Sequence, residues 1–157
     1  MNNKEFQKKY RTFLLAHIFM IIAKLLYVVV PYLIVLFIGN IFLQNPICSE
    51  KTIKIVFGVT IFYLLLCALF VPYFRKKWIK TYLPCKNRSF LQRYIMRYFI
   101  NYTIIDVGAF VGIIIFLLSG IEIYAYICIV FSAFVSAING PIKSELETLM
   151  QKDSMIN

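Results

Sequence analysis

The chain has 157 residues, of which 61% are hydrophobic, and it carries a formal net charge of +10. Soluble domains are about 45–50% apolar and at this length bury only about 70% of their surface, so the composition excludes an ordinary soluble domain and indicates a membrane protein. The positive charge would suggest nucleic-acid binding in a soluble protein, but an unequal distribution of basic residues across a bilayer explains it here, and no nucleic-acid partner is expected.

The first apolar segment, 13–43, is longer than one membrane span requires. As a single helix it would extend about 46 Å, against about 30 Å of hydrocarbon. Either it is one tilted span, or it is an interfacial stretch followed by a span that Pro31 kinks. It is too long for the apolar region of a signal peptide and lacks an A-x-A-like cleavage site, so we expect a retained first helix.

The second apolar segment, 53–74, leads directly into the most basic part of the chain, 75–97, which contains no acidic residue. The basic residues of 75–97 are Arg75, Lys76, Lys77, Lys80, Lys86, Arg88, Arg93 and Arg97. Pro84 stops extension of the second helix, and Ser89 followed by Gln92 has capping-box spacing. We therefore expect a basic helical hairpin between helices 2 and 3, with helix 3 beginning near Ser89.

The third and fourth apolar segments, 98–118 and 121–139, are separated by two residues, so their helices must be antiparallel neighbours. The small residues available for close packing are Gly108 and Gly112 in the third segment and Ser132 and Ser136 in the fourth. The two glycines form a small-xxx-small pair. Packing between these two helices is the simpler use of the pair, and contact between copies of the chain is the alternative.

The tail, 140–157, follows the sequence Asn139-Gly140-Pro141, which ends the fourth helix and can start another. Its apolar residues have the spacing of one helical face: Ile142, Leu146, Leu149 and Met150. This pattern predicts a short amphipathic helix on the cytoplasmic membrane surface, with a frayed tail as the alternative.

The distribution of basic residues predicts the orientation of the helices. The segment before residue 12 and the segment 75–97 together hold twelve basic residues and one acidic residue, Glu5. On the opposite side, the connection 44–52 carries one acidic and one basic residue, Glu50 and Lys51, and the connection 119–120 carries no charge. Because basic segments remain in the cytoplasm, we expect one domain, 1–157: an all-α integral membrane four-helix bundle with both ends inside.

Three ionisable residues lie within the apolar segments: His17, Lys24 and Asp106. Lys24 lies about 20 Å along the helix from Arg11, and Asp106 lies about 13–14 Å from Arg97, so the two can meet in the cytoplasmic half of the bilayer. His17 shares the helical face of Lys24. The alternatives are a proton or ion relay through all three, a structural Lys24–Asp106 ion pair, or a Lys24 side chain that snorkels to the interface.

Enzyme chemistry has little support in the sequence. His17 is the only histidine, which excludes H-E-x-x-H zinc chemistry and multi-histidine metal sites. Phosphate-loop and nucleophile-elbow motifs are absent. The four cysteines form no C-x-x-C pair and indicate neither a disulfide framework nor a zinc site. We therefore expect a non-enzymatic protein without metal or cofactor.

The general shape, four spans with both ends inside, resembles many bacterial accessory membrane proteins, including some immunity proteins against pore-forming toxins and membrane parts of defence systems. The resemblance is architectural, and no motif carries a functional residue over. We expect a multi-pass protein of the cell membrane, in bacteria the inner membrane, that acts by packing with partners or with itself. The basic segment 75–97 would contact anionic lipid or a cytoplasmic partner. The alternative function is an oligomeric channel or transporter subunit.

Overall fold

A computed structural model of the chain describes residues 3–38, 48–81 and 90–154. These residues form helices without any strand, which confirms the all-α prediction for the described part of the chain. The helices are α1 (Asn3–Leu26), α2 (Val29–Ile38), α3 (Glu50–Thr81), α4 (Phe90–Ser119), α5 (Glu122–Ile138) and α6 (Lys143–Ser154).

Within the described ranges, three helical stretches are long and apolar enough to cross a membrane: Phe6–Phe37, Glu50–Phe74 and Tyr94–Ser119. The fourth apolar helix, α5, has 17 residues and is shorter than these three. It corresponds to the predicted segment 121–139 and lies at the lower end of the range of about 17–25 residues found for membrane spans.

The first apolar segment is broken at residues 27–28, between α1 and α2. The physical cause is Pro31, which lacks a backbone N–H and whose ring clashes with the carbonyl four residues earlier, that of Tyr27. At this break the backbone forms hydrogen bonds between residues three apart: the Tyr27 N–H donates to Lys24 O at 3.0 Å, and the Val30 N–H donates to Tyr27 O at 3.1 Å. The expected effect of Pro31 therefore appears as two helices, and the end of the predicted segment, 39–43, lies outside the described residues.

Helix α4 packs between α3 and α5. Side-chain hydroxyls from both neighbours donate to adjacent backbone carbonyls of α4, Tyr63 to Ile104 O at 2.5 Å and Ser132 to Ile105 O at 3.0 Å. The core at this junction consists of Leu64, Cys67 and Val71 from α3, Ile105 from α4 and Val135 from α5. The turn between α4 and α5 depends on Gly120, whose φ of 70° is unfavourable for residues with a Cβ.

The two glycines of the small-xxx-small pair face different helices. A Cβ on Gly112 would lie 2.6 Å from Cys128 Cβ of α5, whereas a Cβ on Gly108 would lie 2.5 Å from Leu64 Cδ2 of α3. The nearest neighbour of Gly112 is therefore in the fourth apolar helix, whereas the nearest neighbour of Gly108 is in α3. Gly108 and Gly112 are one helical turn apart on nearly the same face of α4. This face lies at the junction with both α3 and α5, so each glycine can meet a different neighbour.

The start of α1, the start of α4 and the tail helix α6 meet at one end of the molecule. Phe6, Tyr94 and Leu146 form a buried cluster there, with Tyr10 and Phe13 packed against it. The structure thus places Leu146 against protein, where the sequence pattern had suggested lipid. Ile142 is exposed, and the side chains of the other two predicted apolar positions, Leu149 and Met150, lie outside the described part.

The helices on either side of the basic segment extend beyond the apolar stretches. Helix α3 continues through Thr81 and α4 begins at Phe90, one residue after the predicted cap Ser89. Residues 82–89, with Lys86 and Arg88, lie outside the described residues. The same holds for the side chains of the other six basic residues: Arg75, Lys76, Lys77, Lys80, Arg93 and Arg97.

Candidate functional site

Lys24 is buried between three helices. It lies in the last turn of α1, just before the break at residues 27–28, and its side chain is 1% exposed. Its Nζ atom lies 3.1 Å from Asp106 Oδ1 of α4 and donates a hydrogen bond of 2.7 Å to Ser136 Oγ of α5. It also lies 4.1 Å from the centre of the Tyr102 ring, which adds a cation–π contact.

The contacts of Lys24 differ in kind. Its directed hydrogen bond goes to Ser136, whereas Asp106 Oδ1 accepts no hydrogen bond of good geometry despite its short distance from Nζ. The attraction between Lys24 and Asp106 is therefore mainly that of two opposite charges. Removing either charge from a buried pair leaves the other unpaired, and this is far more costly than breaking a surface ion pair.

Helix α4 supplies two of these contacts because Tyr102 and Asp106 are one helical turn apart on the same face. The Tyr102 hydroxyl also donates to Met20 O of α1 at 2.5 Å, one turn before Lys24. The side chain of Tyr102 therefore holds α4 against α1 by its hydroxyl while its ring covers the ammonium group. We refer to Lys24, Tyr102, Asp106 and Ser136 as the Lys24 cluster.

His17 occupies a separate position, nearer the end of the molecule where Leu146 packs. Its side chain is 5% exposed, and its Nδ1 atom shares a hydrogen bond with the Tyr98 hydroxyl. Its Nε2 atom faces the end of α5, where a Cβ on Gly140 would lie 2.8 Å from it. His17 and Lys24 are seven residues apart, about 10 Å along α1, so they form two contact groups on one face.

The polar groups of α1 and α4 lie opposite each other along the contact between these helices. Tyr98, Tyr102 and Asp106 repeat every four residues on α4, and they contact His17 and Lys24 of α1. Such an arrangement can hold charge away from lipid, and its titratable groups can in principle exchange protons. The described residues contain no group of three or more His, Cys, Asp or Glu side chains that could hold a metal ion.

Some partners in these two groups escaped sequence reasoning. Ser136 was assigned to helix packing, but it accepts the hydrogen bond of Lys24. Tyr98 was not assigned to His17 at all. The repeat of Tyr98, Tyr102 and Asp106 at intervals of four was the available signal, since such residues share one helical face. The sequence alone could not indicate which neighbouring helix that face meets.

Comparisons of the chain with protein-family models, with curated proteins and with solved structures give no match. The functional interpretation therefore rests on the chemistry and geometry of these residues.

Proposed function

We propose that this chain is a non-enzymatic, four-helix protein of the cell membrane that acts by packing with partner proteins or with copies of itself, as an accessory, immunity or defence-type component. The main support is the state of Lys24, which is 1% exposed and engaged by Asp106 and Ser136. A charge used in this way joins α1, α4 and α5 to one another. The charge and the hydrogen bond of Lys24 are directed at groups of the protein itself.

The proposed orientation places both termini and the segment 75–97 in the cytoplasm. The cluster of Phe6, Tyr94 and Leu146 supports it, because it brings the basic start of α1, the start of α4 and the tail to one end. Basic segments on a common side of a bilayer are retained in the cytoplasm. In a bacterium this places the protein in the inner membrane, with α5 as the fourth and shortest span.

The outer surfaces of the helices are suited to lipid or to other membrane helices. Large apolar side chains point outwards along the first apolar stretch, with Leu15 67%, Phe19 72% and Phe37 79% exposed. Lipid tails solvate such side chains as well as a protein interior does. The cytoplasmic end adds the eight basic residues of 75–97, which attract anionic headgroups at about 1 kcal/mol per residue near the surface.

Neutralising part of this basic segment is expected to release bound anionic lipid. Replacing Arg88, Arg93 and Arg97 together with glutamine removes three charges, each worth about 1 kcal/mol near the headgroups. The number of phosphatidylglycerol molecules retained by the purified protein, counted by native mass spectrometry, should fall. The matched control replaces Lys51 and Lys54 with glutamine at the other end of α3 and should change retention little.

Equal loss of lipid in the two variants would contradict the proposal that the basic segment 75–97 binds anionic lipid specifically. Retention of lipid by the arginine variant, combined with loss of a co-purifying acidic protein, would instead assign the segment to partner binding.

The second candidate function is an oligomeric channel or transporter subunit. The facing polar groups of α1 and α4 favour it, since His17, Lys24 and Asp106 lie along one side of the first apolar helix and its neighbour. Ionisable groups within spans commonly mark ion or proton pathways. One chain with four spans has little room for its own aqueous pathway, so conduction would need several copies.

Proton flux separates the two candidates. If the protein acts only by packing with partners, proteoliposomes containing it should show no more proton or potassium flux than empty liposomes. The Asp106→Asn variant should then show the same flux as the wild type. If it conducts, flux should depend on protein density as expected for an oligomer, and Asp106→Asn should reduce it at least about tenfold by removing the charged group. A strictly monomeric protein that shows no flux would eliminate the pore.

A further inference from the structure

The tail helix α6 covers an aromatic surface formed by α1 and α4. Leu146 of α6 is 1% exposed and lies against Phe6, which is 7% exposed, and Tyr94, which is 8% exposed. Phe13 packs edge-on against Tyr94, with ring centres 5.7 Å apart. We call Phe6, Tyr10, Phe13 and Tyr94 the aromatic site. Its residues belong to two different helices, so the site can exist without α6.

Leu146 is the buried apolar contact of the described part of α6 with this site, and Glu145 beside it is half-buried. Among the side chains described in α6, Leu146 is buried, whereas Lys143, Ser144, Glu147 and Thr148 are exposed. The helix is joined to α5 by a short connection that contains Gly140 and Pro141. Burial of one leucine changes an equilibrium constant by about 10–100-fold, so this docking is reversible by comparison with the folding of the apolar helices.

The charge of α6 is opposite to that of the surrounding segments. It carries three acidic residues, Glu145, Glu147 and Asp153, against two basic ones, Lys143 and Lys152, so its formal net charge is −1. Lys143 lies 3.8 Å from Glu147, so part of this charge is paired within the helix. The segment 75–97, which connects into α4, carries eight basic residues and no acidic one, and the chain before residue 12 adds four. Opposite charge favours the approach of an acidic helix to this end and the rejection of a basic one.

We propose that the aromatic site is a docking site for an acidic amphipathic helix with a leucine anchor, that α6 occupies it within the chain, and that the helix of a partner protein with the same chemistry displaces α6. This mode of binding is helix-in-groove recognition, in which a few apolar anchors supply affinity and the surrounding charges supply selectivity. The inference rests on the proposed partner-binding function and names the kind of partner. Its test uses neither lipid retention nor ion flux, so the two proposals can fail separately.

The test uses a fluorescent peptide with the sequence of residues 141–157 and the full-length protein in phosphatidylcholine nanodiscs. In the wild-type protein α6 competes with the peptide. A Leu146→Ala protein should release α6 and bind the peptide at least about tenfold more tightly than the wild type. A peptide carrying Leu146→Ala should bind that protein at least about tenfold more weakly. Thr148→Ala is the matched control, because Thr148 is exposed on the same helix, and this variant should behave like the wild type.

Hydrogen exchange of α6 makes the result decisive. Amides of α6 should exchange faster in the Leu146→Ala protein, and the added wild-type peptide should protect amides at the start of α1 and α4. Unchanged exchange of α6 in the variant would overturn the proposal, since Leu146 would then not be its anchor. The proposal would also be overturned if α6 were released but the Leu146→Ala protein did not bind the peptide. It would equally be overturned if the peptide bound empty nanodiscs as well as nanodiscs with protein, or if replacing the leucine of the peptide did not weaken its binding.

Discussion

Replacing Asp106 with alanine is expected to destabilise the protein by about 3–5 kcal/mol, because Lys24 would stay buried without its opposite charge. Lys24 is 1% exposed, and its side chain lies between three helices, which limits its escape to an interface. The free energy of unfolding, measured by steric trapping in bicelles or by a denaturant titration in detergent, checks this expectation. The exposed Thr103 lies on the same helix, so Thr103→Ala is the control and should change stability little.

Replacing both charges distinguishes an ion pair from two independent polar residues. The double variant Lys24→Met/Asp106→Leu removes both desolvated charges, so it should recover most of the stability lost in Asp106→Ala. Ser136 would lose its hydrogen-bond donor in this variant, which limits the recovery. Additive losses in Lys24→Met, Asp106→Leu and the double variant would contradict direct coupling between Lys24 and Asp106.

Substituting alanine at three glycines is expected to give three different results. At Gly112 the new Cβ would lie 2.6 Å from Cys128 Cβ and 3.3 Å from the Ala125 backbone oxygen, so α4 and α5 would have to separate. Overpacking of this kind costs about 1–3 kcal/mol. At Gly108 the new Cβ would lie 2.5 Å from Leu64 Cδ2 and 2.8 Å from Leu64 Cγ, so this buried side chain must repack. A side chain and not backbone must move there, so the loss should be smaller than at Gly112.

Gly58 supplies the matched control within an apolar helix. A Cβ added there meets nothing within 4 Å, so Gly58→Ala should be neutral or stabilising by up to about 1 kcal/mol, the difference in helix propensity. The free energy of unfolding should therefore be highest for Gly58→Ala, intermediate for Gly108→Ala and lowest for Gly112→Ala. A greater loss at Gly108 than at Gly112 would mean that α3 and not α5 makes the tighter contact with α4.

Helix content and the presence of helices long and apolar enough to cross a membrane could be predicted from the sequence because they depend on composition and on short-range pattern. Long apolar runs predict helices, since each backbone N–H and C=O must be satisfied within a membrane. Pro31 predicted a kink in the first apolar segment for an equally local reason, the missing backbone N–H of proline. The meeting of Lys24 with Asp106 was among the alternatives because their depths along two helices could be counted from the basic ends.

Only the tertiary structure decided which neighbouring helix each helical face contacts. Apolar side chains are solvated by lipid as well as by protein, so the apolar pattern of a membrane helix does not indicate which side meets a neighbour. For this reason Ser136 could not be assigned to Lys24, nor Tyr98 to His17, nor Leu64 to Gly108. The sequence by itself determined a basic, helical chain with stretches long and apolar enough to cross a membrane. The packing of α1, α4 and α5 determined that its buried charge lies between three helices, and the packing of α6 determined that Leu146 contacts protein.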